Sequence, residues 1–410
     1  MDFQRQLVRN LGPSGHAGRV QRSGTAELPL HSGRAPRWLF ERMVRLSRLV
    51  LAHLVAEQGA DEVLRRFSDP FWFQAFGCVL GFDWHSSGLT TTTCGAVKEA
   101  MTGVGRELGL FVAGGKGRAS RRTPEEITTA CEWLGLEPAA LVHASRTAAK
   151  VDNAAVQRGH QLYHHVVVFT AAGAWCVVQQ GMNAETRTAR RYHWLGEHVA
   201  DFVDEPHEAV CDDRRGVVLN YVAKESTQAR DVATALARGG PAPVLEALER
   251  GPELVMARRH EITPFDIDRR HLEKTLLRTY EQAPEDFEAL LGTEGVGPKT
   301  LRALSLVGQL IYGTATSTRD PARFAFAHGG KDGTPYPVDR PTYEKTIEVL
   351  HDALARPAPE RAERVDALKR LARFASSTDR SLRASEAVKN LQPSGPLRVD
   401  LPGTDASGVS

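Results

Sequence analysis

His165-Val-Val-Val-Phe-Thr-Ala-Ala-Gly-Ala-Trp-Cys-Val-Val-Gln-Gln180 decides the fold class. Residues 165–170 and 174–180 are rich in β-branched and aromatic side chains, and Ala171-Ala-Gly173 separates them. The pattern predicts two antiparallel strands joined by a short glycine turn. His164 and His165 stand next to each other where the first strand starts, so their side chains point to opposite faces. Gln179, Gln180 and Asn183 close the second strand. Long amides there suit base edges, phosphates or water as well as the needs of a core.

Outward from the hairpin, Leu110-Phe-Val-Ala113 reads as a buried strand that ends in Gly114-Gly-Lys116-Gly-Arg118, a glycine cluster similar to a phosphate-binding nest. Gly216–Val222 reads as a further strand. Leu39, Met43, Leu46, Leu49 and Leu54 recur at helical spacing and predict a helix pair over 38–66, broken near Gly59. Helices are expected over 93–108 and 138–151. Thr123-Pro-Glu-Glu126 opens another, with Thr123 as its N-cap. Residues 1–36 read as loops and a short strand.

After residue 225 the pattern turns helical: 230–238, 243–250, 269–281, 284–291, 299–313, 342–354 and 361–375. The fold class is therefore α+β. A mixed N-terminal domain (1–228) carries the small sheet, an all-helical domain covers 229–375, and the Ser-, Gly- and Pro-rich stretch 376–410 is expected to be disordered.

Composition narrows the class. The 410 residues are 41% hydrophobic and 25% charged, the values of a soluble globular chain. A net charge of +2 does not mark a nucleic-acid binder. No apolar run approaches the roughly 20 residues of a membrane span. Five scattered cysteines without CxxC spacing read as reduced thiols, which places the protein in the cytoplasm. Nothing in the pattern sets an oligomeric state.

Residues 286–313 carry the most functional information. A helix ends before Thr293-Glu-Gly295-Val-Gly297, and a second opens at Pro298-Lys299-Thr300. Glycines let a backbone approach a phosphate closely, and a helix N-terminus presents free N–H groups and a positive dipole end. Lys299 adds a charge. The segment looks like a helix-hairpin-helix DNA-binding element. That assigns backbone contact to Gly295, Gly297, Lys299 and Thr300, without sequence readout. Lys116 and the cluster of Arg187, Arg190 and Arg191 are further candidate DNA contacts, the latter a DNA track or a solvated face.

Gly295-Val-Gly-Pro-Lys299-Thr300 together with Pro337-Val338-Asp339-Arg340 is similar to the paired signatures of endonuclease III-type DNA glycosylases. That resemblance implies Lys299 as a Schiff-base nucleophile and Asp339 as the assisting carboxylate. Such a lysine needs its pKa lowered in a dry pocket. The alternative is a phosphate contact for Lys299 and a helix N-cap for Asp339. Over residues 20 to about 375, phrases such as Val112-Ala-Gly-Gly-Lys-Gly117, Val177-Val-Gln-Gln-Gly-Met-Asn183, Ala189-Arg-Arg-Tyr-His-Trp194 and Phe326-Ala-His-Gly-Gly-Lys-Asp-Gly333 resemble the prokaryotic domain-of-unknown-function family seven-six-three. The resemblance implies DNA processing, including nuclease activity.

Metal-assisted hydrolysis needs converging carboxylates and imidazoles. The candidates are Glu27, His31, Asp83, His85, His164, His165, His193, Glu205, His207 and Asp212. None matches a known metal spacing. Asp83, His85 and one of His164 or His165 form the favoured set, holding Mg²⁺ or Mn²⁺, with Glu205, His207 and Asp212 as the second choice. Three functions follow: a metal-dependent DNA nuclease in repair, a glycosylase or abasic-site lyase using Lys299 and Asp339, and a non-catalytic DNA-binding adaptor.

Overall fold

The structure is a computed structural model, described here for residues 35–82, 87–186, 188–212, 216–250 and 268–322. Its centre is a five-stranded antiparallel sheet. The strands are β1 (Leu110–Lys116), β3 (Gln161–Thr170), β4 (Trp175–Asn183), β5 (Thr188–Leu195) and β6 (Ala209–Cys211), in the order β1-β3-β4-β5-β6. Two short strands, β2 (Val156–Gln157) and β7 (Leu219–Asn220), pair separately. The expected strand over 216–222 is thus reduced to two residues.

Both faces of the sheet are covered, which is why its central strands read as unbroken apolar runs. Val166, Val168, Cys176, Val178 and Leu195 pack under α1 (Arg37–Gln58), α2 (Ala60–Ser68), α3 (Pro70–Leu80) and α4 (Gly88–Met101). Gly59, at φ 89°, separates α1 from α2 at the predicted break. Asp69 caps α3, its carboxylate accepting from the amides of Phe71 (2.7 Å) and Trp72 (3.2 Å). α3 is almost entirely buried, so its apolar residues show no one-sided period in the sequence.

Val167, Phe169, Val177, Tyr192 and Trp194 face the other way, toward α7 (Thr123–Leu134) and α8 (Ala139–Lys150). Between these two groups of helices lie the short α5 (Gly105–Leu108) and α6 (Arg118–Arg121). Thr123 is the first residue of α7 rather than its N-cap: its hydroxyl donates to the Ser120 carbonyl. The expected 93–108 helix is instead α4 followed by α5.

The C-terminal helices are α9 (Thr227–Arg238), α10 (Pro241–Arg250), α11 (Arg269–Gln282), α12 (Phe287–Gly292) and α13 (Pro298–Tyr312). They bury Leu236, Leu276, Leu290, Leu301 and Leu304 in the same cluster as Val177 and Trp194 of the sheet. Tyr221 stacks on Phe287 at 4.9 Å. One apolar core therefore runs across the 228/229 boundary. The helices expected over 342–354 and 361–375, and the 376–410 stretch, lie outside the described residues. Among the described residues no helix is long and apolar enough to cross a membrane.

Candidate functional site

A turn over residues 293–297 joins α12 to α13, which opens at Pro298 where its sequence predicts. Asp286 caps α12 by accepting from the Ala289 amide at 2.8 Å. Val296 and Leu301 are buried beneath the turn. Gly295 sits at φ 94°, and a Cβ there would meet the Thr275 hydroxyl oxygen at 2.9 Å, so only glycine fits without a shift. Gly297 precedes α13, whose first residue is Pro298.

The turn's hydrogen bonding is one-sided. Three of its carbonyls accept from side chains of the protein: Val296 from Lys150 Nζ (2.6 Å), Pro298 from Gln157 Nε2 (3.0 Å) and, at the surface, Glu294 from Arg278 Nη1 (2.8 Å). Burial beneath the turn lowers the pKa of Lys150. By contrast, the amide N–H groups of Gly295, Gly297, Lys299 and Thr300 meet no acceptor among the described residues. A helix N-terminus leaves such donors over by construction, and here they gather beside the exposed Lys299. The result is a patch of donors and positive charge complementary to a phosphate.

The Lys299 side chain is exposed. Asp339 lies outside the described residues, as do Asp83, His85, Glu27, His31 and Arg187. Lys116 is exposed, with its ammonium 5.6 Å from the Tyr163 ring. The glycine cluster next to it is not an open nest. The Gly114 amide donates to Glu126, the Gly114 carbonyl accepts from Lys98, and the Gly117 amide donates to the Tyr163 carbonyl.

Arg190 and Arg191 correct the expected basic track. They lie in β5, fully buried on opposite faces of the sheet. Arg190 donates to Asp212 (2.7 Å) and to both oxygens of Asp320 (2.8 and 2.9 Å), and Arg158 joins Asp212 at 2.6 Å. Arg191 donates to Gln74 (3.1 Å) and lies over the Phe73 ring at 4.8 Å. Neither guanidinium can reach a DNA backbone.

His164 and His165 do point to opposite faces, and neither is a surface ligand. His164 is buried in the row Lys116–His164–Gln180–Arg191 across β1, β3, β4 and β5. Neither ring nitrogen has a partner among the described residues, and burial, with help from His165 and Lys116, pushes its pKa down to about 3. On the other face, His165 Nδ1 meets Gln179 Oε1 at 2.7 Å and His165 Nε2 meets the Ser145 hydroxyl at 2.8 Å. Gln179 Nε2 donates to the Ala148 carbonyl and to Asp152, so its Oε1 must accept. His165 Nδ1 therefore carries the proton and Nε2 accepts from Ser145, leaving no lone pair for a metal. His193 is buried, with Nδ1 on the Phe67 carbonyl at 2.9 Å.

This chain of bonds ends at Asp152, which local sequence reasoning passes over. Asp152 is fully buried in a single π-helical turn, Val151–Ala155, directly after α8. Such turns recur at functional sites. Its carboxylate accepts from Gln179 Nε2, from Trp194 Nε1 at 2.9 Å, and pairs with His207 Nε2. His207 and Glu205 border one pocket, while Asp212 belongs to the separate Arg190 cluster. The only local hint of Asp152 is a carboxylate set among Val151, Ala154 and Ala155 at a helix end.

Among the described residues no group of three or more His, Cys, Asp or Glu side chains stands where it could hold a metal ion. All five cysteines are free and buried.

Neither the curated proteins nor the solved structures contain a significant match to this chain. Residues 24–338 match the family model described as Protein of unknown function (DUF763), and since that range covers most of the 410 residues, the chain belongs to this family.

Proposed function

We propose that this protein is a DNA-processing enzyme, a nuclease acting in repair, that grips the sugar-phosphate backbone through the α12–α13 hairpin. One observation carries the reading: the turn spends its Val296 and Pro298 carbonyls on Lys150 and Gln157 and leaves the amides of Gly295, Gly297 and Lys299 without an acceptor among the described residues, beside the exposed Lys299 side chain. Donors of this kind recognise phosphate oxygens and cannot read base identity. A divalent cation, Mg²⁺ or Mn²⁺, is part of the proposal. The lyase alternative has less support, because Lys299 is exposed.

The test is fluorescence anisotropy with short duplexes of unrelated sequence over a salt series. Affinity is expected to fall steeply with salt and to vary little with sequence. Lys299→Glu should weaken every duplex alike and reduce the log–log salt slope by about one. Unchanged affinity of Lys299→Glu at low salt would remove the hairpin from the interface. Cleavage of the same duplexes with and without chelator reports the role of metal.

A further inference from the structure

His207 lies at a pocket of about 30 Å³, bordered also by Glu205, Glu208, Asn220 and Arg319. The space is close to that of one water molecule. Glu205 holds a backbone φ of 47°, unusual for a residue with a side chain. It is kept there by its amide, which donates to the Val222 carbonyl at 2.7 Å, and by an ion pair with Arg319. Strain of this kind gathers at functional sites. The pocket's carboxylates have partners: Arg319 pairs with Glu205, and with Glu225 nearby (2.8 Å), and Glu208 hydrogen-bonds His198 Nδ1 (2.7 Å).

The hydrogen bonds around Asp152 set the state of the His207 ring. The carboxylate already accepts from Gln179 and Trp194 and meets His207 at Nε2. A carboxylate only accepts, so Nε2 carries the proton. In the neutral ring Nδ1 is then the acceptor, and it meets no donor among the described residues. A buried carboxylate that fixes the tautomer of an imidazole beside a water-sized space is the arrangement of a general base.

We propose that His207 is the general base of a hydrolytic reaction on the DNA backbone, and that Asp152 positions it. The proposal rests on the DNA reading above. Water is the co-reactant. As its oxygen bonds to phosphorus, one of its protons passes to His207 Nδ1. The phosphorus–oxygen bond to the sugar breaks with its electron pair on the departing oxygen. That oxygen takes a proton from solvent, and the imidazolium returns one, so a phosphodiester and water give a phosphomonoester and an alcohol.

Lys150 and Gln157, which hold the hairpin carbonyls, flank the π-helical turn that carries Asp152. Tyr221, between the pocket residues Asn220 and Val222, donates its hydroxyl to the Leu301 carbonyl of α13 at 3.0 Å. Grip and base thus share one frame.

Two replacements in the full chain test the role. His207→Gln should lower the cleavage rate of bound DNA by about 10²–10⁴-fold, the usual contribution of a general base, with affinity by anisotropy within twofold of wild type. Asp152→Asn changes the tautomer rather than the shape. Its amide oxygen must still accept from Gln179 and Trp194, so its NH₂ faces His207 and forces Nε2 to accept. Histidine ¹⁵N NMR should then show the proton moved to Nδ1, with cleavage lost and binding kept. If Asp152→Asn fails to fold, His207→Gln alone decides. Cleavage within a few-fold of wild type in His207→Gln overturns the proposal. So does a wild-type protein that binds DNA and cuts none, an outcome that leaves the hairpin reading standing. Absence of binding by the wild type removes both.

Discussion

Replacing Arg190 with methionine should destabilise the fold without altering DNA affinity. Arg190 is 0% exposed and stands between Asp212 and Asp320, themselves nearly sealed from solvent. Methionine fills part of the space but removes the cation that contacts both carboxylates most closely, leaving Arg158 at 2.6 Å from Asp212 and 3.7 Å from Asp320. Removing one partner of a buried ion pair costs about 3–5 kcal/mol. With an unfolding entropy of about 2.1 cal/mol/K per residue over 410 residues, that corresponds to a fall in Tm of about 3–6 °C. Differential scanning calorimetry at pH 7 reads it directly.

A pH arm adds a sign. Burial pushes the Asp212 carboxyl up, yet Arg190, Arg158 and His160 together outweigh burial and hold it below the usual carboxylate value. A depressed folded pKa gives stability that is complete above the unfolded value and is lost as pH falls through the folded one. The Tm gap between wild type and Arg190→Met should therefore persist above about pH 4 and close below it. A Tm within 1–2 °C of wild type at pH 7 would refute the buried cluster, being far under the roughly 3–5 kcal/mol expected. Weaker, salt-dependent DNA binding in the same variant would return Arg190 to a surface track.

Two further outcomes are expected. His164→Leu should be nearly neutral at pH 7, since it strands no hydrogen-bond partner among the described residues; it should also flatten the pH dependence of stability. The buried imidazole keeps a pKa of about 3 against the usual 6.5, so its contribution is complete above about pH 6.5 and declines by about 1.4 kcal/mol per pH unit on acidification. Urea unfolding at pH 7 and pH 5 measures both effects, and a loss of several kcal/mol at pH 7 would mean that the ring has a partner after all. Separately, a fragment beginning at residue 229 should not melt cooperatively, because Leu276, Leu290 and Leu304 share their core with Val177, Trp194 and Tyr221; a sharp circular-dichroism melt of that fragment would contradict a shared core.

The central hairpin and the α12–α13 turn were legible because their signals are local. β-branched runs around Gly173, a glycine required at positive φ at Gly295, and Pro298 opening a helix all act through neighbouring residues. β5 was not legible as a buried strand. Its arginines look like surface charge until Asp212 and Asp320 arrive from 22 and 130 residues away, and Gln74 from 117. α3 was hidden by the opposite effect, being apolar on every side.

The candidate catalytic pair shows the same division. His207 stood among the second-choice metal ligands, chosen by residue type alone. Its partner Asp152 is 55 residues away and has no motif around it. By itself the sequence determined the α+β class, most helix and strand positions, and the hairpin, since these follow from propensity, periodicity and turn chemistry over a few residues. Only the tertiary structure decided which polar groups are buried, which tautomer each histidine takes, and which cations meet carboxylates instead of solvent. Desolvation and hydrogen bonding depend on neighbours that the chain brings together from far apart, and no local pattern records those neighbours.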